Sequence, residues 1–298
     1  PFDDRDGEIW MDGVMVPWRD AKLHVLSHGL HYASGVFEGE RAYAGNIFKL
    51  RDHTNRLINS GRILGFEIPY TADEIDAACI AVVAANGLTD AYVRPLAWRG
   101  SEQLSVSAQQ TRIHLAIATW PWPNLFGDDR MKGVRLGMAP WKRPHPETAP
   151  TASKAAGLYM IGTLSKHSAE AAGYDDALML DWRGQVSEAT GANIFFVMDG
   201  ALHTPTPDCF LDGITRRTVM ALARQQQMKV VERTIALDEI AGASEVFLAG
   251  TAAEVTPVRE IDGRHYTPGP ITEALMKSYN ELVRMDPAAV QRRAPIAA

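Results

Sequence analysis

The sequence predicts a mixed fold of helices and strands, α/β or α+β, in two domains. Strand-type and helix-type apolar spacings occur in both halves of the 298-residue chain, without a regular strand–helix–strand alternation. The stretch 120–133 interrupts this order with two prolines, two glycines and two adjacent acids, which is typical of a linker. We therefore expect an N-terminal domain over residues 1–121, an interdomain loop over 122–133 and a C-terminal domain over 134–298.

Turn and capping signals define the elements of the N-terminal domain. Asp12-Gly13 stands between two short apolar runs, which predicts a hairpin over 8–16. Thr71 with Glu74 is a capping-box pattern, and it opens a helix that Gly87 ends. The apolar spacing predicts a strand at 46–50, a helix at 51–66, and strands at 91–98 and 112–120.

The C-terminal domain continues with strands and helices in mixed order. A long helix is expected from near Lys154 to Ala172, with Gly173 as the residue that ends it. Strands are predicted at 133–139, 176–181, 184–190, 193–197 and 245–250, a hairpin at 197–205, and helices at 212–227 and 268–285. The chain has no G-x-G-x-x-G, which argues against a nicotinamide-binding Rossmann unit.

Composition and charge exclude several classes of protein. The formal net charge is −6 and there is no basic stripe, so nucleic acid is not an expected partner. Cys79 and Cys209 stand far apart and fit neither a disulfide framework nor a zinc spacing, which favours a reducing cytoplasm. The acidic start resembles no signal peptide, and the apolar stretch near 80–85 is too short to cross a membrane. We expect a cytoplasmic enzyme or small-molecule binder.

Lys154 is the first candidate for chemistry. It lies among small residues in PTASKAAGLY (150–159), at the expected start of a helix. The positive end of the helix dipole and partial burial both disfavour an ammonium group, and a neutral amine is a nucleophile that reacts with aldehydes and ketones. The alternative is a solvated lysine whose small neighbours only aid helix packing.

Other candidates are weaker when each is considered alone. Glu188 ends a predicted strand and could hold a pyridinium nitrogen protonated, or it could be an ordinary turn acid. The first turn of the helix after Gly213 and the small residues of GTAAEVTP could bind phosphate or carboxylate through backbone N–H groups, or be routine loops. Tyr92 and Arg94 share one strand face, where Arg94 could bind a substrate carboxylate or form a surface ion pair.

The histidine pair His28 and His31 could suggest a metal site, because the two side chains are three residues apart. No third ligand is close in the sequence, so we expect no metal.

Seven stretches taken together resemble a known family. They are SHGLHYASGVFEGERAY, RDHTNRL, AYVRP, TASKAAGLY, SEATGANIF, DGITRR and GTAAEVTPV. In this order they closely resemble the class IV aminotransferases, pyridoxal phosphate enzymes of fold type IV, and within them the branched-chain amino acid aminotransferases. The resemblance runs from about Ile9 to about Leu282. It implies a smaller N-terminal α/β domain and a larger C-terminal pseudo-barrel domain.

The resemblance implies roles for the residues around the cofactor, pyridoxal 5'-phosphate. Lys154 matches the lysine that binds it covalently and then moves a proton, Glu188 the carboxylate at the pyridine nitrogen, and Tyr159 the tyrosine at the phenolic oxygen; these three are the expected catalytic residues. The implied cofactor-binding residues are Lys154, Arg56, Glu188, Tyr159, Leu211, Ile214, Thr215 and Thr251. Among these, Leu211 packs on the ring, and Arg56 is one of the phosphate contacts.

The resemblance also implies a substrate site. Its residues are Tyr32, Phe37, Tyr92, Arg94, Trp122, Thr251 and Ala252. The Tyr92 hydroxyl, with the backbone at 251–252, matches the site of the α-carboxylate. Arg94 and Tyr32 match the residues that receive the distal carboxylate of glutamate, while Phe37 and Trp122 match apolar walls.

The implied activity is a ping-pong transfer of the amino group of L-leucine, L-isoleucine or L-valine to 2-oxoglutarate, by a homodimer or higher homo-oligomer. Three alternatives remain open: a transaminase of D-amino acids or (R)-amines, a lyase of the aminodeoxychorismate type, and a non-catalytic binding protein of the same fold. The Tyr92–Arg94 pair favours transamination of L-amino acids over the first two.

Three departures from the family pattern fall in stretches that shape the pocket. Glu40 stands where the branched-chain enzymes usually carry isoleucine, and Leu125 stands where an aromatic residue is often found. The stretch RGSEQLSVSAQQ is not glycine-rich, unlike the same stretch in many relatives. The substrate range is therefore predicted less firmly than the cofactor and the reaction.

Overall fold

The computed structural model describes residues 1–122 and 127–285, without the side chains of 127–129. The chain forms two compact units: Pro1–Pro123 with Ser153–Leu158, and Asn124–Ala152 with Tyr159–Ala298. The segment around Lys154 thus folds with the first unit although it is far away in the sequence. The predicted linker falls partly on residues outside the described ones, and the division at 121 and 134 stays a prediction.

The first unit contains seven strands and three α-helices among its described residues. The strands are β1 (Glu8–Met11), β2 (Val14–Pro17), β3 (Gly35–Phe37), β4 (Glu40–Tyr43), β5 (Asn46–Ile47), β6 (Ala91–Arg99) and β7 (Ile113–Pro121); the helices are α1 (His28–Tyr32), α2 (Leu50–Ile63) and α3 (Ala72–Ala85), with 3₁₀ turns at Trp18–Asp20 and Ala156–Tyr159. The predicted hairpin is confirmed, and Asp12 and Gly13 both have positive φ, as its tight turn requires. The predicted capping box of Thr71 and Glu74 is also confirmed.

The sheet of the first unit is antiparallel, in the order β2-β1-β7-β6-β4-β5, with β3 also paired to β6. Because alternate side chains point to opposite faces, Ala42 and Val93 lie on the face that packs with Leu57 of α2 and Ile75 of α3 in the apolar core. Tyr92 and its neighbours in register lie on the other face. The sheet therefore separates an apolar core from a second, polar and aromatic face.

The second unit is larger and its strands close into a ring. It contains β8 (Val134–Met138), β9 (Asp176–Leu180), β10 (Val186–Ala189), β11 (Asn193–Met198), β12 (Ala201–Pro205), β13 (Val230–Arg233), β14 (Glu245–Gly250), β15 (Glu254–Ile261) and β16 (Arg264–His265), with helices α4 (Met160–Ala171), α5 (Ile214–Gln225) and α6 (Pro270–Val283) and 3₁₀ turns at Gly127–Lys132 and Glu239–Gly242. The order β10-β9-β8-β15-β14-β11 returns to β10 through the β10–β11 pairing. The unit is thus the pseudo-barrel that the resemblance implied.

Two predicted elements differ from those observed, and a long strand lies where none was predicted. The strand at 46–50 is only Asn46–Ile47, because α2 already begins at Leu50. The helix expected from Lys154 begins as a 3₁₀ turn at Ala156 and becomes α-helical at Met160; Gly173 follows its end with φ +82°, as predicted. The residues after Gly250 lead directly into the long strand β15, which the sequence did not indicate.

Candidate active site

The backbone of Lys154 is fixed between α2 and β3. Its N–H donates to Ser60 Oγ (3.0 Å), and its carbonyl oxygen accepts from the Phe37 N–H (3.2 Å). The hydroxyl of Ser153 donates to the Ser60 carbonyl oxygen (3.0 Å), and Ala155 forms a β-bridge with Val36. The lysine side chain, half-buried, places Nζ 4.9 Å from the centroid of the Phe37 ring.

Packing gives one physical reason for the small residues around Lys154. A Cβ placed on Gly157 would lie 2.9 Å from the Cβ of Ala33, so a larger residue would push the two segments apart. Ala33 itself has φ +52° and ends α1, which makes its backbone position hard to shift. The close approach of α1 to the segment after the lysine thus requires glycine at position 157.

Arg56 on α2 is held by a buried carboxylate. Its Nε and Nη2 donate to the two oxygens of Glu38 (2.6 and 2.8 Å). The ring Nδ1 of His53 lies 2.7 Å from Glu38 Oε2 and must be the donor if the carboxylate is ionised. Burial acts to raise the pKa of Glu38, but the charge of Arg56 and the hydrogen bonds from Arg56 and His53 hold it well below its ordinary value. Burial lowers the pKa of His53.

Glu40, one of the departures from the family pattern, lies on the core face of the sheet. It pairs with Val93 across β4 and β6 and is fully buried. Neither of its carboxyl oxygens has a hydrogen-bond partner among the described residues. Burial, followed by the charges of Glu38 and Asp76, raises the pKa of Glu40 well above its ordinary value, which favours the neutral acid.

Tyr92 and Arg94 lie together on the other face of the sheet, as predicted. Arg94 Nη2 donates to the Tyr92 hydroxyl (3.3 Å), and its guanidinium carbon lies 4.8 Å from the ring centroid of Phe37. The Trp122 ring lies 4.9 Å from that of Tyr92. Contacts therefore run from Lys154 through Phe37 and Arg94 to Tyr92 and Trp122.

Tyr32 does not belong to this series of contacts. It is half exposed at the end of α1, and its ring stacks on His28 at 4.5 Å. Both ring nitrogens of His28 are engaged, by Ser34 Oγ (2.6 Å) and the Ser105 carbonyl oxygen (2.9 Å). His28 is thus a structural residue that links α1 to the loop after β6.

In the second unit, Glu188 is a buried carboxylate with two supports. Arg143 Nη2 lies 2.7 Å from Glu188 Oε1, and the side-chain amide of Asn193 donates to Oε2 (3.1 Å). Glu188 and Asn193 face each other across β10 and β11. Asn193 also donates to the carbonyl oxygen of Leu211 (3.1 Å). The predicted ring-packing leucine and the predicted pyridine partner are thus connected through one amide.

Ile214 and Thr215 form the first turn of α5, as predicted for a phosphate site. Gly213 precedes them in extended conformation, and no side chain of the described residues caps the helix. A Cβ on Gly213 would lie 2.2 Å from Asn193 Oδ1, so only glycine allows this approach. The first N–H groups of a helix have no partner within the helix and favour anions.

Thr251 and Ala252 lie in the turn that joins β14 to β15. Glu254, which closes the turn with φ +52°, is buried and forms an ion pair with Arg130. Tyr159 is half-buried where the 3₁₀ turn after Lys154 passes into α4.

Sequence reasoning missed the residues that support the predicted ones: Glu38, His53, Arg143 and Asn193. One signal was present, since His53 and Arg56 are three residues apart on one helix and therefore share a face. The other contacts join residues from separate elements, and no local pattern indicates them.

Comparison with known proteins identifies the class. Residues 35–261 match the family amino-transferase class IV. The chain is 44% identical, over 94% of both chains, to the branched-chain-amino-acid aminotransferase of Pseudomonas aeruginosa. This protein is therefore a member of the class IV aminotransferases.

Solved structures agree with this membership. The T.th. branched-chain amino acid aminotransferase, complexed with N-(5'-phosphopyridoxyl)-L-glutamate, superposes with a TM-score of 0.92 at 38% identity, over 97% of both chains. The branched-chain aminotransferase of Thermoproteus uzoniensis with norvaline gives a TM-score of 0.92 at 39% identity, over 97% of this chain and 98% of that one. No helix within the described ranges combines the length and apolar character needed to cross a bilayer.

Proposed function

We propose that this protein transfers the amino group of L-leucine, L-isoleucine and L-valine to 2-oxoglutarate, with pyridoxal 5'-phosphate as its cofactor. The observation that carries the proposal is the near full-length similarity to branched-chain-amino-acid aminotransferases. The T.th. relative holds a phosphopyridoxyl-glutamate, and the Thermoproteus relative holds an unbranched aliphatic amino acid. An acidic and an aliphatic substrate are therefore both expected here.

The residues of the second unit fit such a cofactor. Arg143 and Asn193 hold the Glu188 carboxylate in place, which suits it to pair with a protonated ring nitrogen. Gly213 leaves the first turn of α5 uncapped, which suits a phosphate. When bound, the cofactor supplies an aldehyde carbon that accepts the amino group and a cationic ring that withdraws electrons from the substrate Cα.

Lys154 would bind the cofactor covalently and then act as a general base. With its backbone fixed by Ser60 and Phe37, its Nζ takes the proton from the Cα of the amino acid. Such a base works best when its pKa lies near the working pH.

The remaining contacts follow the family pattern. Arg56, Ile214, Thr215 and Thr251 would hold the phosphate, Tyr159 the phenolic oxygen of the ring, and Leu211 one face of the ring. For Arg56, the support of Glu38 fixes the guanidinium plane, so that its orientation does not depend on the ligand.

The substrate would be held mainly by the polar and aromatic face of the first unit. The Tyr92 hydroxyl, with the backbone at 251–252, would bind the α-carboxylate. Arg94 would receive the distal carboxylate of glutamate and 2-oxoglutarate. Tyr32 would join it from a second copy of the chain, because within one chain it stacks on His28, outside the contacts of Arg94. Phe37 and Trp122 would contact aliphatic side chains.

We also propose a homodimer in the cytoplasm. Exposed apolar side chains on α1 and in the two loops beside it support self-association: Leu23, Val25, Leu26, Leu30, Leu104 and Val106. The two buried free cysteines, Cys79 and Cys209, are consistent with a reducing compartment.

A panel of half-reactions tests the function. Purified protein loaded with cofactor is mixed with L-leucine, L-isoleucine, L-valine, D-alanine or (R)-phenylethylamine, and the absorbance of the cofactor is followed. We expect the L-branched-chain amino acids to convert the cofactor and the other two to leave it unchanged. Conversion by D-alanine or the amine, without conversion by L-leucine, would assign the protein to a sister activity.

A further inference from the structure

Three buried N–H groups on one face of the first unit lack an acceptor. They are Nε of Arg94, Nε1 of Trp120 and Nε1 of Trp122, and none of the described residues accepts a hydrogen bond from them. Trp120 stands directly opposite Tyr92 in the register of β6 and β7, so the two side chains share a face.

The three groups surround the ring of Tyr92. Trp120 stacks on that ring with centroids 5.1 Å apart, and Trp122 lies 4.9 Å from it. The guanidinium carbon of Arg94 is 5.2 Å from the Tyr92 centroid and 5.9 Å from the Trp120 centroid. Two indoles and one guanidinium are therefore gathered within one small region.

This region is rich in donors and poor in acceptors. No carboxylate of a described residue lies within 4 Å of Arg94, whereas Arg56, Arg130, Arg143 and Arg216, which are also half-buried or buried, each pair with a glutamate. A buried N–H without an acceptor is unfavourable, because it loses its hydrogen bond to water and gains none in return. Three such groups beside one tyrosine ring indicate that a ligand provides the acceptor.

A buried indole elsewhere in the same unit shows the contrast. Trp18 is buried, and its Nε1 donates to the carbonyl oxygen of Phe2 (2.6 Å). The chain thus satisfies an indole N–H that serves only packing. Trp120 contacts the ring of the same Phe2 at 5.3 Å, yet its N–H has no acceptor among the described residues.

We infer that Trp120 is a specificity residue for the acidic substrate: its indole N–H, with that of Trp122, donates to the side-chain carboxylate that Arg94 attracts. A carboxylate has two oxygens and about four lone-pair positions, so it can accept from an arginine and two indoles together. The ligand class is a five-carbon dicarboxylate such as 2-oxoglutarate. This inference rests on the proposed function and adds to it a donor that favours acidic over aliphatic substrates.

Equilibrium binding of two unreactive acids to the cofactor-loaded protein tests the inference. Glutarate carries the distal carboxylate, whereas 4-methylvalerate replaces it with a branched aliphatic end. In Trp120→Phe we expect the Kd of glutarate to rise roughly tenfold, since a hydrogen bond to a charged group is lost. The Kd of 4-methylvalerate should change less than about twofold, because no charged contact is lost there. Trp10→Phe, on the same sheet but packed against Tyr70 and the core, is the matched control and should change neither.

A second variant separates the N–H from the shape of the ring. Benzothienylalanine at position 120 keeps the fused aromatic ring and has no N–H, and it should reproduce the loss of glutarate binding. An unchanged Kd for glutarate in this variant overturns the inference, as do equal losses for both acids in both variants. Conversion of the cofactor by L-leucine is measured in parallel. If L-leucine fails while glutarate binding still depends on Trp120, the proposed function is wrong and the carboxylate site stands.

Discussion

The two units each contain a buried glutamate–arginine pair, and the pairs differ in how far the arginine is exposed relative to its glutamate. In the first unit the Glu38 side chain is fully buried, while Arg56 remains 17% exposed. In the second unit the side chains of Glu188 and Arg143 are almost equally buried, and Asn193 adds a second contact to the carboxylate. Each carboxylate thus has a second support, His53 for Glu38 and Asn193 for Glu188. The difference is that Arg56 is clearly more exposed than its glutamate, whereas Arg143 is not.

Glu40 is a second buried glutamate that, unlike Glu38, has no ion pair with an arginine among the described residues, and its pKa differs accordingly. It lies two residues after Glu38, is equally buried, and has no hydrogen-bond partner among the described residues. The pKa of Glu38 is lowered and that of Glu40 is raised. Burial is common to both residues, so direct contact with an arginine decides which carboxyl is charged.

The largest expected effect follows removal of the Glu38 carboxylate, which holds Arg56. Glu38→Leu removes the buried carboxylate that contacts Arg56 and His53. We expect the free energy of unfolding to fall by about 3–5 kcal/mol. Urea unfolding of the cofactor-free protein at pH 7 measures this. Glu67→Leu is the control, because Glu67 pairs with Arg62 at the exposed surface, and a change there should stay within about 0.5 kcal/mol.

The pH dependence sharpens this prediction. Because the folded-state pKa of Glu38 is lowered, its contribution is present above the unfolded-state pKa and is lost as the pH falls. The stability gap between the unmodified protein and Glu38→Leu should therefore narrow on acidification. A gap that does not change with pH would mean that Glu38 acts through packing alone.

Neutralising Glu188 should lower the rate of the half-reaction more than it lowers the stability of the fold. In Glu188→Gln we expect the L-leucine half-reaction to slow by about 100- to 1000-fold, the range for loss of one preorganised electrostatic contact. The cofactor should remain bound, since its phosphate contacts are intact. Stopped-flow absorbance measures the rate, and Glu170→Gln, on the exposed side of α4, is the control. A rate within about twofold of the unmodified protein would remove Glu188 from the mechanism.

The smallest expected effect is that of replacing Glu40. The folded-state pKa of Glu40 is raised, so its contribution to stability is full below the unfolded-state pKa and is lost as the pH rises towards the folded-state pKa. A glutamine at position 40 does not ionise, so this pH-dependent contribution is absent in Glu40→Gln. We expect the stability of Glu40→Gln relative to the unmodified protein to increase as the pH rises above the unfolded-state pKa of a glutamate. The two neighbouring glutamates should thus show opposite pH slopes, and a flat difference for Glu40→Gln would contradict a neutral buried acid.

Local signals in the sequence predicted many elements but few of the contacts between them. The Asp12-Gly13 turn, the Thr71–Glu74 capping box and the helix end at Gly173 are properties of a few adjacent residues, so they could be predicted. Closure of the ring through β10 and β11 depends on the register of a whole sheet. No short pattern specifies such a register: the resemblance implied a pseudo-barrel, but not which strands close it.

The same limit applies to the candidate site. Local sequence features indicated Lys154 and Glu188, the family resemblance added Arg56, and the roles of all three stay predictions. The residues that position them, such as Ser60 and Arg143, come from distant parts of the sequence: Ser60 and Lys154 are 94 positions apart. A short motif can identify a reactive side chain, whereas the residues that position it are determined by tertiary packing.

The addition of Ser153–Leu158 to the first unit has a consequence for biosynthesis. During translation, Val36 and Phe37 leave the ribosome long before Ala155 and Lys154, their partners, have been added to the chain. The N-terminal unit therefore reaches its final form only after synthesis has entered the barrel unit. A nascent chain stopped after residue 122 would contain every strand of the first sheet and still lack the lysine segment that completes it.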